Sequence, residues 1–318
     1  MLEKFRGCLL GVAIGDALGA PVEFDKLTAI RARFGPDGIT ELVSWHGLPA
    51  GSYTDDTQMT LATVRGMLAA HTQGKPLVGT GWAEAVYRAY LDWLATQDDP
   101  HQMRAPGNTC LSALRSGKMG KLDAALNYSK GCGGVMRTAP VGLVFRGAEA
   151  FRQGVEFAVI THGHPSGYLS AGFTAELIGH LLDGAAVDEG LDPSSETLRI
   201  YAGHEETLHK VAQARALAEN GTPIDKAIRE IGEGWVGEEA LGVAIFCALR
   251  FPDDYRAAVI AGANHDGDVD STASMAGAIL GTMLGAGAIP AEWIDKIENR
   301  QEIESLAAQM HGIWGVKG

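Results

Sequence analysis

Long apolar runs are missing from this chain of 318 residues. Although 46% of the residues are hydrophobic, no stretch reads as the ~20 uninterrupted apolar residues a membrane-spanning helix needs, so no membrane association is expected. Paired cysteines are missing too. Cys8, Cys110, Cys132 and Cys247 stand far apart with no CxxC spacing, which excludes a zinc finger or a disulfide framework and leaves small buried hydrophobes in a reducing compartment. Positive charge is scarce: 26 Lys and Arg against 39 Asp and Glu leave a net charge of −13, the wrong sign for gripping a phosphate backbone, and no nucleic-acid partner is expected. The acidic excess suits solubility, and part of it also suits carboxylates gathered to hold cations. The opening Met1-Leu2-Glu3-Lys4-Phe5 lacks the apolar core and small-residue cleavage site of a signal peptide, so the expected location is cytoplasmic.

Alternating β patterns are equally scarce. The best of them, Thr40 to Trp45, is short and lies in a Gly/Pro-rich loop. Four-residue spacing dominates instead: Trp82, Val86, Tyr90 and Leu94; Leu169, Phe173, Leu177 and Leu181; Leu241, Ile245 and Leu249; Met275, Ile279 and Met283. Each set forms one helical stripe, and Ile303, Leu306 and Met310 predict a closing helix. The fold class is therefore all-α, a compact orthogonal multi-helix bundle in one domain over residues 1–318, with Asp183 to Glu196 read as a surface loop. Gly7, Gly11, Gly15 and Gly19, and then Gly277, Gly281 and Gly285, recur at the same spacing, although glycine costs a helix interior roughly 1 kcal/mol against alanine. The pattern predicts close backbone approach along those faces.

Four polar islands interrupt the helices: Gly15-Asp16 with Glu23; Thr54-Asp55-Asp56-Thr57; Gly131-Cys132-Gly133-Gly134-Val135-Met136-Arg137; and Asn264 to Thr272. The second has an innocent reading, with Thr54 as N-cap and Asp55 and Asp56 facing the positive end of a helix. The fourth is harder to dismiss, because Asp266, Asp268 and Asp270 at alternate positions repel one another unless something positive lies between them. Carboxylate and hydroxyl oxygens are hard donors that suit magnesium, manganese or calcium and not zinc. An EF-hand loop starting at Asp266 fails, because Ser271 and Gly277 occupy the positions that need glycine and glutamate. A haloacid-dehalogenase-type Asp268-x-Asp270-x-Thr272 motif fails as well, for want of an apolar strand before it and an α/β domain after it.

Taken in order, Gly15-Asp16-x-x-Gly19 with Glu23, Thr54-Asp55-Asp56-Thr57, Gly131-x-Gly133 leading to Met136-Arg137-x-Ala139-Pro140, His162-Gly163-His164-Pro165 and Gly267-Asp268-x-Asp270-Ser271 resemble the ADP-ribosylglycohydrolase family. The resemblance spans most of the chain. It implies two Mg2+ or Mn2+ ions in a central dinuclear cleft, bound by Thr54, Asp55, Asp56, Asp268, Asp270 and Ser271. It also implies a mobile Glu23 beside the metals, catalytic roles for Glu23, Asp55 and Asp56, and an ADP-ribose cradle built from Gly131, Cys132, Gly133, Gly134 and His162. The implied activity is hydrolysis of the bond between ADP-ribose and a modified target, with an ADP-ribosylated protein as partner and ADP-ribose as product. The Asp268-x-Asp270-Ser271-Thr272 form is most similar to the arginine-directed branch; serine-linked ADP-ribose, O-acetyl-ADP-ribose and a modified nucleobase stay open. Val269, Asp266, Cys132 and Ser271 depart from the commoner residues of that family, Cys132 standing in place of a frequent asparagine.

Other residues have competing readings. Asp16 reads first as a structural brace, Arg137 as a buried tie between loops or a phosphate contact, and His164 as a polar loop residue before Pro165. Asn108 reads as a turn residue, and Trp235 as a packing residue before an adenine stacker. Two rival functions remain. His265-Asp266 with His162 and His164 could ligate metal in an all-helical phosphohydrolase, or the chain could be a non-catalytic ADP-ribose-binding relative.

Overall fold

The computed structural model describes residues 1–76 and 81–315. Sixteen α-helices make up the described chain, and no sheet is present among the described residues. The first group is α1 (Leu2–Gly19), α2 (Leu27–Phe34), α3 (Asp55–Thr72), α4 (Trp82–Thr96), α5 (Asn108–Arg115) and α6 (Val141–Val144). Next come α7 (Gly147–Val159), α8 (Pro165–Asp183), α9 (Val187–Leu198), α10 (Glu205–Glu219), α11 (Ile224–Ile231) and α12 (Gly237–Arg250). The chain closes with α13 (Tyr255–Gly262), α14 (Val269–Leu284), α15 (Ala291–Ile294) and α16 (Arg300–Trp314). Thr40 to Trp45 forms no strand; the region holds only an isolated bridge between Trp45 and Leu48.

Two helices are apolar on every side and therefore form the centre. From Phe5 onward α1 is almost wholly buried, and so is α14 up to Thr282. They run antiparallel and pack along each other more extensively than any other pair. Glycine is what lets them approach. A Cβ on Gly7 would lie 1.9 Å from the Gly281 carbonyl oxygen, one on Gly11 2.1 Å from that of Gly277, and one on Gly15 2.2 Å from that of Ala273. The expected close approach is thus real, except that Gly285 is the left-handed cap that ends α14 (φ +83°) and not part of the stripe.

The stretch from Leu2 to Val22 corrects the reading that no apolar run is long enough to span a bilayer. It covers 21 residues, but 94% of its most apolar 18-residue window is buried inside the protein. It is the helix about which the core is built. A second correction concerns Asp183 to Glu196: the left-handed Gly184 ends α8, and α9 then runs to Leu198 with Pro193 inside it. Val187, Leu191 and Leu198 bury one face of α9.

This packing sets the site. The C-terminal end of α1 continues through a short turn (Ala20–Val22) to Glu23, while the N-termini of α3 and α14 point at the same place.

Candidate active site

Thr54 caps α3, its Oγ1 accepting from the Asp56 N–H at 3.3 Å, so Asp55 and Asp56 fall in the first helical turn. Asp268 caps α14, accepting from the Ser271 N–H, and places Asp270 and Ser271 in that helix's first turn. Gly267 makes the entry feasible: it holds φ +137°, and a Cβ there would lie 2.0 Å from the Glu233 carbonyl oxygen, to which the Asp268 N–H donates at 2.8 Å. Both helix ends turn their positive poles toward the carboxylates, which favours ionised side chains but supplies only partial charge.

The two helix ends meet. Thr54 Oγ1 donates to Asp270 Oδ2 at 3.2 Å, and carboxylate oxygens of Glu23, Asp268 and Asp270 lie within 4.8 Å of one another. Asp16 braces the junction, accepting from the Thr54 N–H at 2.9 Å, the Thr57 N–H at 2.9 Å and the Thr57 hydroxyl at 2.6 Å. That is the structural role expected of it. Asp55 accepts from the Gly107 N–H at 3.2 Å, a contact the sequence did not suggest beyond the reading of neighbouring Asn108 as a turn residue. Asp56 is buried with Oδ2 lacking any hydrogen-bond partner, although a buried charged oxygen without one is costly.

The donor set fits hard divalent cations. The largest charge effects on Glu23 come from other carboxylates (Asp270, Asp268, Asp55 and Asp16), and the same holds for Asp56. The nearby arginines are committed elsewhere. Arg104 is turned to Glu298, and Arg137 donates to Thr161 Oγ1 at 2.6 Å and lies over the Tyr90 ring. Arg137 is therefore the buried tie and not a phosphate contact. Burial first, then mutual repulsion, raises Asp56 and Asp270 well above the ordinary carboxylate range. Asp55 rises mainly by burial. Glu23 is pushed up to about 11 and Asp16 to about 7, again by burial first and by Asp270 next.

These shifts carry a sign for stability. A carboxyl whose folded value is raised stabilises the fold fully below its unfolded value, and loses that contribution as pH rises to the folded one. For Asp16 that window runs from 3.8 to about 7, and for Glu23 from 4.5 to about 11. The chelator-treated protein is therefore expected to melt lower at about pH 9 than at about pH 6, and excess magnesium is expected to narrow the gap by binding the ionised carboxylates. Paired thermal melts check this; equal pH sensitivity with and without magnesium would count against a cation site here.

The glycine loop closes one side. The Cys132 N–H donates to the Trp235 carbonyl at 3.1 Å and the Gly237 N–H to the Lys130 carbonyl at 2.8 Å, which stitches the loop to the segment before α12. Cys132 Sγ then reaches the metal-ligand candidates, 2.7 Å from Asp268 Oδ2. His162 sits behind the loop. It is 1% exposed, its Nδ1 is 2.8 Å from Thr161 Oγ1, and a Cβ on Gly133 would lie 3.1 Å from its ring. Burial, with Arg137 adding to it, pushes the ring down to about 3, so it supports the loop as a neutral group. His164 caps α8 through its Nδ1, which accepts from the Ser166 N–H at 3.0 Å. Asn108 opens α5 and is exposed.

His265 and Asp266 face elsewhere. His265 Nε2 lies 2.9 Å from Thr272 Oγ1, and Asp266 Oδ1 accepts from the Leu27 N–H at 2.8 Å, so neither joins the carboxylate cluster. The sequence reading also missed Phe24. Phe24 is 75% exposed, and its ring stacks on Trp235 at 6.0 Å between centroids and 14° between planes. With the Lys26–Glu233 ion pair at 3.1 Å, it clasps the Glu23 segment to the segment beside the glycine loop. An exposed aromatic next to Glu23 was the only signal available, and one exposed aromatic is common on any surface.

This geometry has counterparts among known proteins. The chain is 27% identical to an ADP-ribosylarginine hydrolase of Pseudomonas putida over 97% of this chain and 78% of that one. It is 25% identical to the mouse (Mus musculus) ADP-ribosylhydrolase ARH3 over 98% of this chain and 92% of that one. A solved structure titled "ADP-ribosylglycohydrolase-related protein complex" shares the fold at a TM-score of 0.74 and 24% identity, covering 98% of both chains. The family model described as ADP-ribosylglycohydrolase matches residues 1–317, and with the motifs in order and their carboxylates converged, the chain belongs to that family.

Proposed function

We propose that this protein is a cation-dependent hydrolase that cleaves the glycosidic bond between ADP-ribose and an arginine side chain of a modified protein, acting as one domain in the cytoplasm. Hydrolysis of an ADP-ribose glycosidic bond follows from the family. The arginine linkage rests on the Asp268-x-Asp270-Ser271-Thr272 form and on the likeness to the Pseudomonas ADP-ribosylarginine hydrolase. The observation that carries the site assignment is the convergence of Glu23, Asp268 and Asp270 oxygens within 4.8 Å, beside a buried Asp56 oxygen with no partner.

In this reading Thr54, Asp55, Asp56, Asp268, Asp270 and Ser271 hold two Mg2+ or Mn2+ ions. When bound, the ions supply Lewis-acid binding of the sugar hydroxyls and polarise a water. The chain's own groups do the rest. With the Gly131 and Cys132 N–H groups held by Ser129 Oγ and the Trp235 carbonyl, the Gly133 and Gly134 N–H groups are the ones offered to the diphosphate, without needing a cationic side chain, which suits a site this acidic. Glu23, or Asp55 or Asp56, accepts the proton of the attacking water as positive charge builds on the anomeric carbon. His162 keeps the loop in place from behind.

The experiment is a panel of defined arginine-linked and serine-linked ADP-ribosyl peptides and O-acetyl-ADP-ribose, assayed with and without chelator. Release of ADP-ribose from the arginine peptide, stopped by chelator and restored by magnesium or manganese, is expected. Faster release from the serine peptide would replace the substrate; chelator-insensitive release would remove the cations from the reaction.

A further inference from the structure

We propose that Cys132 is itself a donor atom at the edge of the cation pocket, which makes it a mixed sulfur–oxygen site that takes thiophilic divalent ions (zinc, cobalt, cadmium) through the thiolate together with Asp268. The inference rests on the carboxylate site of the proposed function and adds to it a ligand that an oxygen-only site lacks.

Position carries it. Sγ lies 2.7 Å from Asp268 Oδ2, and Ser271 Oγ donates to the same sulfur at 3.8 Å. Asp268 Oδ2 belongs to a residue whose carboxylate oxygen is within 4.8 Å of Asp270 and Glu23. Asp56, in the first turn of α3 across the junction, is buried with its Oδ2 lacking any hydrogen-bond partner. The sulfur is also held in place. The Cys132 N–H is fixed on the Trp235 carbonyl at 3.1 Å, and its own carbonyl accepts from the Val135 and Met136 N–H groups at 2.8 and 3.1 Å. The other three cysteines are fully buried, while Cys132 is half-buried at the pocket.

A sulfur and a carboxylate oxygen sharing one ion stand roughly 3.1 Å apart at a right angle and roughly 3.6 Å apart at the tetrahedral angle, given bonds of about 2.3 and 2.1 Å. Starting from 2.7 Å, the two side chains have to rotate apart to admit the ion. The step balances without oxidant or reductant: the S–H bond breaks, a sulfur–metal bond forms, and the proton leaves to solvent. Oxygen-only donors favour magnesium and manganese, and one thiolate shifts preference toward softer ions. The site thereby becomes selective in a way its carboxylates alone do not make it.

The test uses the chelator-treated full chain titrated with cobalt(II), bound metal being measured by equilibrium dialysis alongside the absorption spectrum. Wild type is expected to show a sulfur-to-cobalt charge-transfer band in the near ultraviolet. Cys132→Ser, which keeps the three buried thiols, is expected to bind cobalt without the band. Its zinc-over-magnesium preference is expected to fall by about tenfold or more. Cobalt bound by both proteins with the same spectrum, banded or bandless, would overturn the sulfur ligand and leave the carboxylate site standing. No cobalt bound by either would overturn both.

Discussion

Replacing Asp270 with alanine is expected to give a folded protein that neither binds magnesium or manganese nor releases ADP-ribose, turnover falling at least about a thousandfold, or about 4 kcal/mol of transition-state stabilisation. Asp270 is singled out by its neighbours. It accepts from Thr54 across the α3–α14 junction, lies in the oxygen cluster with Glu23 and Asp268, and appears among the charges that raise Asp16, Glu23, Asp55 and Asp56. Removing it therefore has opposite effects on stability and function. Without cations, the alanine variant sheds a repulsion felt by four carboxyls and is expected to melt no lower than wild type above neutral pH. With excess cation, wild type gains stability by mass action, about 2.7 kcal/mol at a hundred times the dissociation constant, and the variant gains none. Circular dichroism melts with and without magnesium, run beside turnover of the arginine-linked peptide, read both. A variant that still turns over, or that still gains heat stability from magnesium, would remove Asp270 from the site.

The helical framework was legible because its stripes are regular. Trp82 to Leu94, Leu169 to Leu181, Leu241 to Leu249 and Met275 to Met283 fall inside α4, α8, α12 and α14. Polar islands marked the candidate site because aspartates at alternate positions repel one another unless a cation lies between them. What periodicity misread has local causes. Pro193 disguised α9, although its preceding residues carry Val187 and Leu191 at helical spacing, and Glu189 Oε2 accepts from the Ala186 N–H at 2.8 Å to secure the helix start. Leu2 to Val22 escaped notice as an apolar span because glycine and single charges interrupt it. The Phe24–Trp235 stack and the Gly107 contact to Asp55 join segments far apart in sequence, and no local pattern encodes such pairs.

The glycine stripe gives the second large effect, because the same substitution has opposite signs at two helical positions. Gly312 lies exposed in α16 with nothing within 4 Å of a built Cβ, so Gly312→Ala is expected to stabilise by roughly 0.5–1 kcal/mol through helix propensity and a less free unfolded chain. Gly277 has the same intrinsic preference, but a Cβ there would lie 2.2 Å from the Gly11 carbonyl oxygen and 2.9 Å from its carbon. Both are backbone atoms, so no rotamer change relieves the clash and α1 and α14 must separate. Overpacking of this kind costs about 1–3 kcal/mol and more where the backbone must move, so Gly277→Ala is expected to lose about 3 kcal/mol by denaturant midpoint. The separation also reaches the site. Asp270 rides at the start of α14, and Glu23 follows the end of α1, where Gly19 is packed so tightly that a Cβ would meet the Asp270 Cα at 2.4 Å. A shift of about 1 Å between reacting groups costs on the order of a hundredfold in rate, so the folded fraction of Gly277→Ala is expected to be slow as well as unstable. A Gly277→Ala protein as stable and as active as wild type would show that the two central helices do not depend on glycine for their approach, and that the geometry of Glu23 and Asp270 is set by something else.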